Sequence, residues 1–318
     1  MIRHLCSVVA AMLILSACAG KGRPVPAASV PPITMQAILA PGVRVEQVTK
    51  GFQFTEGPIW HPSGFLLFSD IPANIIYQWT PGADQAGVYR TPSGHSNGLT
   101  LDSENRLIAC EHDRRLSRTE RDGTVVTLAD RYQGRRLNSP NDVVVRSDGS
   151  IYFTDPPYGL PNQADGKELD FNGVYRLAPD GMLILLDSSF VRPNGLAFSP
   201  DEKTLYVDDS EQGHIRAFDM LPDGTLTNGR VFAELKEPAQ NGVPDGMKVD
   251  AQGNVFCTGP GGIWVIDPQA RLLGKIETPE VAANLAWGDA DGKTLYITAQ
   301  TGLYRIRTIT GGKKPGRG

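Results

Sequence analysis

The chain has 318 residues, 40% of them hydrophobic, and its 31 Lys and Arg against 35 Asp and Glu give a formal net charge of −4. This apolar share is enough for a sizeable core and excludes a globally disordered chain. A mildly acidic chain without a Lys/Arg-rich block gives no support for nucleic-acid binding.

An export signal is predicted in residues 1–18. A short basic head precedes an apolar run at residues 5–15, which is too short for a stable transmembrane anchor. The run ends in Leu15-Ser-Ala-Cys18, which resembles the lipobox of bacterial lipoproteins and implies cleavage before Cys18 and lipidation of its thiol. The alternative is ordinary secretion with cleavage at Ala17-Cys-Ala19. Both place the protein in the periplasm or cell envelope, and the first limits membrane contact to a lipid anchor.

The remaining chain divides into three parts. Residues 20–32 are rich in Pro, Gly and Ala, so we assign residues 19–36 to a flexible tether. Residues 37–310 form one folded domain, and the basic residues 311–318 form a disordered tail.

The folded part contains six copies of one pattern, each a polar residue, an apolar strand, a turn with Gly or Asp, and a second apolar strand. The copies begin roughly 40 to 55 residues apart, the period of a four-stranded propeller blade. Their first residues are Glu56, Asn97, Asn141, Asn194, Asp245 and Asn284.

This repeat predicts an all-β fold, a six-bladed β-propeller with four-stranded blades. Third strands are expected at residues 74–79, 173–177, 214–218 and 262–266. The alternating residues 43–48 are expected to join the last blade and close the ring, which removes exposed sheet edges.

The repeat also bears on the cysteines outside the signal. Cys110 and Cys257 occupy nearly the same position in the second and fifth copies. These blades lie opposite each other in a six-fold ring, too far apart for a disulfide. We expect two free, mostly buried thiols.

The six polar residues begin the strand nearest the axis, so we expect them to converge at one mouth of the channel. Carboxylate and carboxamide oxygens suit a hard divalent cation such as Ca²⁺, Mg²⁺ or Mn²⁺. Any one Asn-Gly or Asp-Gly pair is more commonly a turn; the shared phase is what favours a site. The histidines lack zinc-ligand spacing and no Cys-x-x-Cys occurs, which disfavours zinc.

Four segments resemble the gluconolactonase branch of the senescence-marker-protein (regucalcin) family. They are "TEGPIW", "LNSPNDVVVRSDGSIYFTDPPYG", "PNGLAFSPDEKTLYVDDS" and "PDGMKVDAQGNVF". The resemblance covers roughly residues 45–305. It implies a six-bladed propeller that binds one divalent cation, with Ca²⁺ first and Mg²⁺, Mn²⁺ or Zn²⁺ as alternatives, and that hydrolyses a sugar lactone.

The resemblance implies four metal ligands, Glu56, Asn141, Asn194 and Asp245. The animal branch has a sugar-holding arginine two residues before its "ND", where this chain has Ser139. That substrate contact is therefore not expected here.

Roles follow from metal-assisted ester hydrolysis. Asp245 is the candidate catalytic general base. Asn141 and Asp142 are candidate substrate contacts, with Asp142 alternatively supporting the site or capping its loop. Asn97 either contacts a substrate hydroxyl or orders its loop. Asp155 and Tyr158 are proposed to shape the mouth.

Two further motifs were weighed. Gly94-His-Ser-Asn-Gly98 matches the G-x-S-x-G nucleophile elbow, which requires a strand before the serine and a helix after it. Here a strand follows, so we treat the match as coincidental. The stretch Glu111-His112-Asp113 is read as a charged loop at a strand end rather than a catalytic pair.

Two functions remain open at this point. The first is a lactonase, with other lactones, aryl esters or phosphotriesters as alternative substrates. The second is a non-catalytic propeller that binds calcium, a sugar or a protein. The sequence does not reveal the oligomeric state, and residues 162–171 are a candidate lid.

Overall fold

The computed structural model describes Met1 and residues 34–312. The predicted export signal with Cys18, most of the tether, and residues 313–318 lie outside the described residues. Folded structure extends beyond the expected boundaries at both ends. A short helix, α1 (Met35–Ile38), includes the last two residues of the expected tether and buries Ile38 in the core, and Gly312 forms a bridge with Asp250 where a disordered tail was expected.

Within residues 34–312 the strands form six four-stranded antiparallel sheets. The first blade comprises β2 (Thr55–His61), β3 (Phe65–Asp70), β4 (Ile75–Trp79) and β5 (Gly87–Arg90). The second comprises β6 (Ser96–Leu101), β7 (Leu107–Glu111), β8 (Arg115–Thr119) and β9 (Val125–Ala129). The third comprises β12 (Val143–Val145), β13 (Ile151–Asp155), β14 (Asn172–Leu177) and β15 (Leu183–Phe190). A small hairpin, β10 (Arg131–Tyr132) and β11 (Arg135–Arg136), precedes the third blade, and a 3₁₀ turn covers Pro161–Gln163.

The last three blades follow the same plan. The fourth blade comprises β16 (Pro193–Phe198), β17 (Thr204–Asp209), β18 (His214–Met220) and β19 (Leu226–Glu234). The fifth comprises β20 (Met247–Val249), β21 (Val255–Gly259), β22 (Gly262–Ile266) and β23 (Leu272–Ile276). The sixth comprises β24 (Ala282–Gly288), β25 (Thr294–Ala299), β26 (Gly302–Arg307) and the N-terminal strand β1 (Glu46–Lys50). The predicted six-bladed propeller is confirmed. No helix among the described residues is both long and apolar enough to span a membrane.

The blades close into a ring through their first strands. Each of β2, β6, β12, β16, β20 and β24 contacts the first strands of the blades before and after it. The N-terminal strand β1 pairs antiparallel with β26, joining Gln47 to Tyr304 and Lys50 to Gly302. The expected closing strand is therefore present, beginning at Glu46 rather than residue 43. Because the last blade takes strands from both chain ends, neither end leaves the ring open.

The core is divided among the interfaces between blades. Successive side chains of a strand point to opposite faces of its sheet, so each blade contributes to two apolar clusters. One such cluster joins Ile59, Leu67 and Ile76 of the first blade to Leu99 and Leu107 of the second. Five further clusters occupy the other interfaces of the described ring.

The two cysteines within the described residues lie in different clusters. Cys110 packs between the second and third blades, and Cys257 packs between the fourth and fifth. Both thiols are free and buried. The predicted absence of a disulfide between them is confirmed, and the separation of the clusters is its physical reason.

Glycines allow the first strands to approach one another closely. At Gly57 the backbone has φ +53, and a Cβ there would lie 2.0 Å from the carbonyl oxygen of Asn97 in the next blade. At Gly195 a Cβ would lie 2.2 Å from the carbonyl oxygen of Asp245. A side chain at either position would push two blades apart.

We expect Gly57→Ala to lower the free energy of unfolding by about 3 kcal/mol or more, because it combines a backbone clash with left-handed strain. The control is Gly64→Ala, in a turn with φ +92 and nothing within 4 Å of the added Cβ. That change should cost only about 1 kcal/mol. Urea unfolding of both variants checks this, and equal losses would contradict the close-approach argument.

Candidate functional site

The polar residues that begin the first strands come together at one end of the ring. We call Glu56, Asn97, Asn141, Asn194, Asp245 and Asn284 the polar cluster. The Nδ2 group of Asn97 donates to Oδ1 of Asn141 at 2.5 Å, and Nδ2 of Asn141 donates to Oδ1 of Asn194. Between the neighbouring last and first blades, Nδ2 of Asn284 donates to Oε2 of Glu56 at 3.0 Å. The expected convergence is therefore present in the structure.

Two carboxylates of the polar cluster, Glu56 and Asp245, lie close enough to affect each other's pKa. Glu56 is 2% exposed, and burial, followed by the charges of Asp245 and Asp142, raises its pKa well above the usual value. Burial also raises the pKa of Asp245 to about 7, partly offset by hydrogen bonding to Asn194. Asp245 is half-buried, so it retains access to solvent whereas Glu56 does not.

Two further buried carboxylates lie against the cluster. Oδ1 of Asp142 accepts the backbone N–H of Val143 at 2.9 Å, while its Oδ2 has no hydrogen-bond partner among the described residues. Asp208 is fully buried on β17, and its Oδ1 is similarly unpaired. Burial, then the charges of Asp245 and Asp142, raise the pKa of Asp208 well above its usual value.

Lys248 supplies a positive charge next to Asp142. Its Nζ lies 3.9 Å from Oδ2 of Asp142 and donates to Oδ1 of Asn284 at 3.3 Å. The same Asn284 oxygen accepts the N–H of Leu285 at 2.8 Å, which turns the amide Nδ2 towards Glu56. Lys248 also helps line a cavity of about 190 Å³. The ammonium of Lys248 therefore lies against Asp142, and through Asn284 it is linked to Glu56.

The donor chemistry fits a hard divalent cation. The four implied ligands offer two carboxylates and two carboxamide oxygens, the ligand types that Ca²⁺ prefers. A carboxamide oxygen has two lone pairs, so Asn141 and Asn194 each retain one beyond the hydrogen bond already made. No three His, Cys, Asp or Glu side chains within residues 34–312 form a group that could hold a metal ion. The set is therefore a mixed acid–amide set.

Asp142, a candidate substrate contact or supporting residue, and Asp155, proposed to shape the mouth, are both buried. Asp142 is 2% exposed and faces Val143 and Lys248, which fits a supporting role better than substrate contact. Asp155 accepts the N–H of Asn138 at 2.8 Å, and burial raises its pKa to about 7. It orders the loop before β12 rather than shaping the mouth.

Tyr158 lies in the loop after β13, and Ser139 hydrogen-bonds to that loop. Tyr158 is half-buried, and burial raises its pKa to about 12, with hydrogen bonding to Ser210 opposing the rise. Ser139 donates to the carbonyl of Pro156 at 2.6 Å and accepts the N–H of Gly159 at 2.9 Å. At the position of the animal-branch arginine, this chain therefore has a loop anchor.

His112 is a site residue that sequence reasoning missed. Its Nε2 lies 3.4 Å from Nδ2 of Asn97 and 3.5 Å from Oδ1 of Asn141. Burial lowers its pKa to about 4, partly offset by the hydrogen bond to Asn141. The ring is therefore uncharged at neutral pH and does not repel a cation.

The repeat contained a signal for His112. It directly follows the acidic residue that ends a second strand, as Ser210 does in the fourth blade, and Ser210 accepts from Nδ2 of Asn194 at 3.0 Å. For Glu111 and Asp113, which flank His112, the prediction of charged residues at a strand end agrees with their contacts. Buried Glu111 pairs with Arg90 at 2.8 Å, and exposed Asp113 contacts His95 at 2.8 Å.

The G-x-S-x-G match has no nucleophile geometry. Ser96 begins β6, and β7 follows it with no helix between them. The hydroxyl of Ser96 lies 2.9 Å from that of Ser69 in the neighbouring blade, fully buried. This serine is part of the contact between two blades.

Comparison with known proteins identifies the family and supports the fold. The family described as "SMP-30/Gluconolactonase/LRE-like region" matches residues 54–301. A gluconolactonase of Zymomonas mobilis is 38% identical, over 87% of this chain and 85% of the relative. A solved gluconolactonase of Xanthomonas campestris is 38% identical with a TM-score of 0.79, covering 86% of this chain and 92% of that one. A calcium-binding regucalcin of Agrobacterium tumefaciens shares the fold at 18% identity and a TM-score of 0.71, covering 84% of this chain and 97% of that one.

Lys248→Met should destabilise the protein, because Asp142 loses the ammonium that partly neutralises its buried, unpaired oxygen. We expect a loss of about 1–3 kcal/mol in the free energy of unfolding at neutral pH. Lys203→Met is the control, since its ammonium is exposed and 3.7 Å from exposed Asp201; it should change stability by less than about 0.5 kcal/mol. Denaturant titration of both variants measures this, and an unchanged Lys248→Met protein would contradict it.

Proposed function

Because the chain belongs to the SMP-30/gluconolactonase/LRE-like family, we propose that it hydrolyses the ester of a sugar lactone such as glucono-1,5-lactone. Two gluconolactonases at 38% identity, each aligned over most of its length, support the substrate class. The observation that carries the proposal is the convergence of Glu56, Asn141, Asn194 and Asp245 at one end of the ring. The reaction would take place at this mouth of the channel.

We further propose that the protein works with one divalent cation, held by Glu56, Asn141, Asn194 and Asp245. When bound, such an ion supplies a Lewis acid that polarises a carbonyl oxygen. Ca²⁺ is the first candidate, because the donors are all oxygens and the Agrobacterium regucalcin is described as calcium-binding. Mg²⁺, Mn²⁺ and Zn²⁺ are the alternatives to be compared.

The chain's own groups divide the remaining work. Asp245 is the half-buried carboxylate of the cluster, and its carboxylate oxygen is placed to orient a water and accept its proton during attack on the lactone carbonyl. Glu56 is closed off from solvent and fixed by Asn284 at 3.0 Å, so it serves as a ligand rather than a base. Asn97, beside Asn141, is placed to meet a substrate hydroxyl.

Hydrolysis of D-glucono-1,5-lactone, followed by pH-stat on protein lacking residues 1–18, tests the proposal. Chelation should abolish the activity, and adding back the four ions singly should restore it and rank them. Asp245→Asn should lower kcat roughly 10²- to 10⁴-fold, the usual contribution of a general base. Asp84→Asn, at an exposed position of the first blade, should leave the rate unchanged.

Thermal unfolding gives a second readout. Ca²⁺ at about 100 times its Kd should stabilise the unmodified protein by roughly 2.7 kcal/mol and should stabilise Asp245→Asn much less. Ion binding without hydrolysis of any lactone, aryl ester or phosphotriester would instead identify a non-catalytic binding propeller. Hydrolysis that survives exhaustive chelation would contradict the metal requirement.

We also propose that the protein is exported and lipid-anchored at Cys18 in the cell envelope. Support comes from the residue order Leu15-Ser-Ala-Cys18 directly after a short apolar run. In a bacterial host, Cys18→Ser should move the protein from the membrane fraction and abolish its labelling by a fatty-acid analogue. Cys6→Ser is the matched control within the same signal. Equal membrane association of both variants would favour another anchor, and soluble periplasmic unmodified protein would favour cleavage at Ala17-Cys-Ala19.

A further inference from the structure

His112 is the only histidine among residues 34–312 whose ring meets the polar cluster. His61 stacks on Phe65, and His95 contacts exposed Asp113. The roles proposed above for metal binding and proton transfer do not use His112. Its position beside Asn97 and Asn141 therefore calls for a separate explanation.

The contacts of His112 Nε2 within the protein are long and compete with one another. Asn97 offers it a donor at 3.4 Å and Asn141 an acceptor at 3.5 Å. An uncharged ring nitrogen either donates or accepts, so it satisfies only one of the two contacts at a time. Both are longer than the usual 2.9–3.0 Å, and Oδ1 of Asn141 already accepts from Asn97 at 2.5 Å.

The surrounding backbone fixes the position of His112. Its N–H donates to the carbonyl of His95 at 3.1 Å. On the other side, a Cβ at Gly159 would lie 2.5 Å from Cβ of His112 and 2.9 Å from Cβ of Ser139. The loop after β13 thus packs directly against the histidine, and Ser139 holds that loop at Gly159 N with a 2.9 Å hydrogen bond.

Donor and acceptor groups therefore stand side by side in the patch formed by His112, Asn97 and Asn141. A hydroxyl group both donates and accepts, so it matches such a patch. A methylene group in the same place would leave the polar atoms of the patch without a partner. Sites built to hydrogen-bond a hydroxyl discriminate strongly against analogues that lack it. The patch includes the candidate ligand Asn141, which donates to the candidate ligand Asn194, so a hydroxyl bound here would lie close to the reacting ester.

We propose that His112 is a substrate-contacting specificity residue whose Nε2 hydrogen-bonds a ring hydroxyl of the lactone near its carbonyl. It makes the site selective for polyhydroxylated lactones over unsubstituted ones. The inference rests on the proposed function and adds to it the residue that recognises the sugar.

The test is the ratio of kcat/KM for D-glucono-1,5-lactone to that for δ-valerolactone, a six-membered lactone without hydroxyl groups. His112→Leu should lower kcat/KM for gluconolactone roughly 10- to 100-fold, in line with losing a hydrogen bond and leaving a polar atom unpaired. Its effect on δ-valerolactone should stay below about threefold. His112→Gln, which keeps a polar terminus, should recover part of the ratio.

The control is His95→Asn, a change of a nearby histidine whose side chain is 45% exposed. Its backbone has φ +51, which asparagine tolerates, and it should leave both values of kcat/KM unchanged. Thermal unfolding of each variant identifies any loss of fold. Equal losses on both lactones, or an unchanged ratio in His112→Leu, would overturn the proposal, because a residue with a purely structural role does not alter selectivity.

If the unmodified protein fails to hydrolyse either lactone, calorimetric binding of D-gluconate and of 5-hydroxyvalerate decides the question. Failure on both lactones counts against the proposed lactonase function but not against hydroxyl recognition. Tighter binding of gluconate by the unmodified protein, lost in His112→Leu, would support the proposal. No preference for gluconate, or a preference that survives in His112→Leu, would overturn it.

Discussion

The burial of several neighbouring carboxylates is the constraint on which the rest of this structure depends. Glu56, Asp142 and Asp208 are almost fully buried and Asp245 is half-buried, and the ammonium of Lys248 lies 3.9 Å from Asp142. Burying charges of one sign is costly unless they are protonated, paired or bound to a cation. The raised pKa values of Glu56, Asp208 and Asp245 express that cost. The closed ring is what holds these groups together despite it.

The ring maintains this arrangement through contacts that are distributed around it. Glycines such as Gly57 and Gly195 let neighbouring first strands approach until side chains of successive blades share hydrogen bonds. Hydroxyl groups on second strands strengthen the same contacts, as when Thr154 donates to the carbonyl of Asn194 at 2.7 Å. Asp208 occupies in the fourth blade the position that Thr154 occupies in the third. A carboxylate therefore stands there in place of a hydroxyl group that joins neighbouring blades.

Similar acidic residues perform different work in different places. Asp70, Asp155 and Asp209 each end a second strand and accept backbone N–H groups from the loop before their own first strand, at 2.8–3.2 Å. These carboxylates order loops, whereas those of Glu56 and Asp245 face each other across the cluster. Placement relative to the ring, and not residue type, separates the structural acids from the candidate ligands.

The sequence by itself determined the fold and most of the candidate ligand set. A six-fold repeat of two apolar strands defines the blades. Glu56, Asn141, Asn194 and Asp245 occupy the same position in their repeats, so they lie at the same end of the ring. Both features can be read from short stretches of sequence, because the alternation of side chains along a strand is a local property. Only the tertiary structure decided that His112 and Lys248 join this group and that Asp142 faces Lys248. Those contacts join residues such as Asn97 and His112, or Asp142 and Lys248, that lie on different strands or blades. Their distances depend on how closely the strands pack, which no local pattern in the sequence encodes.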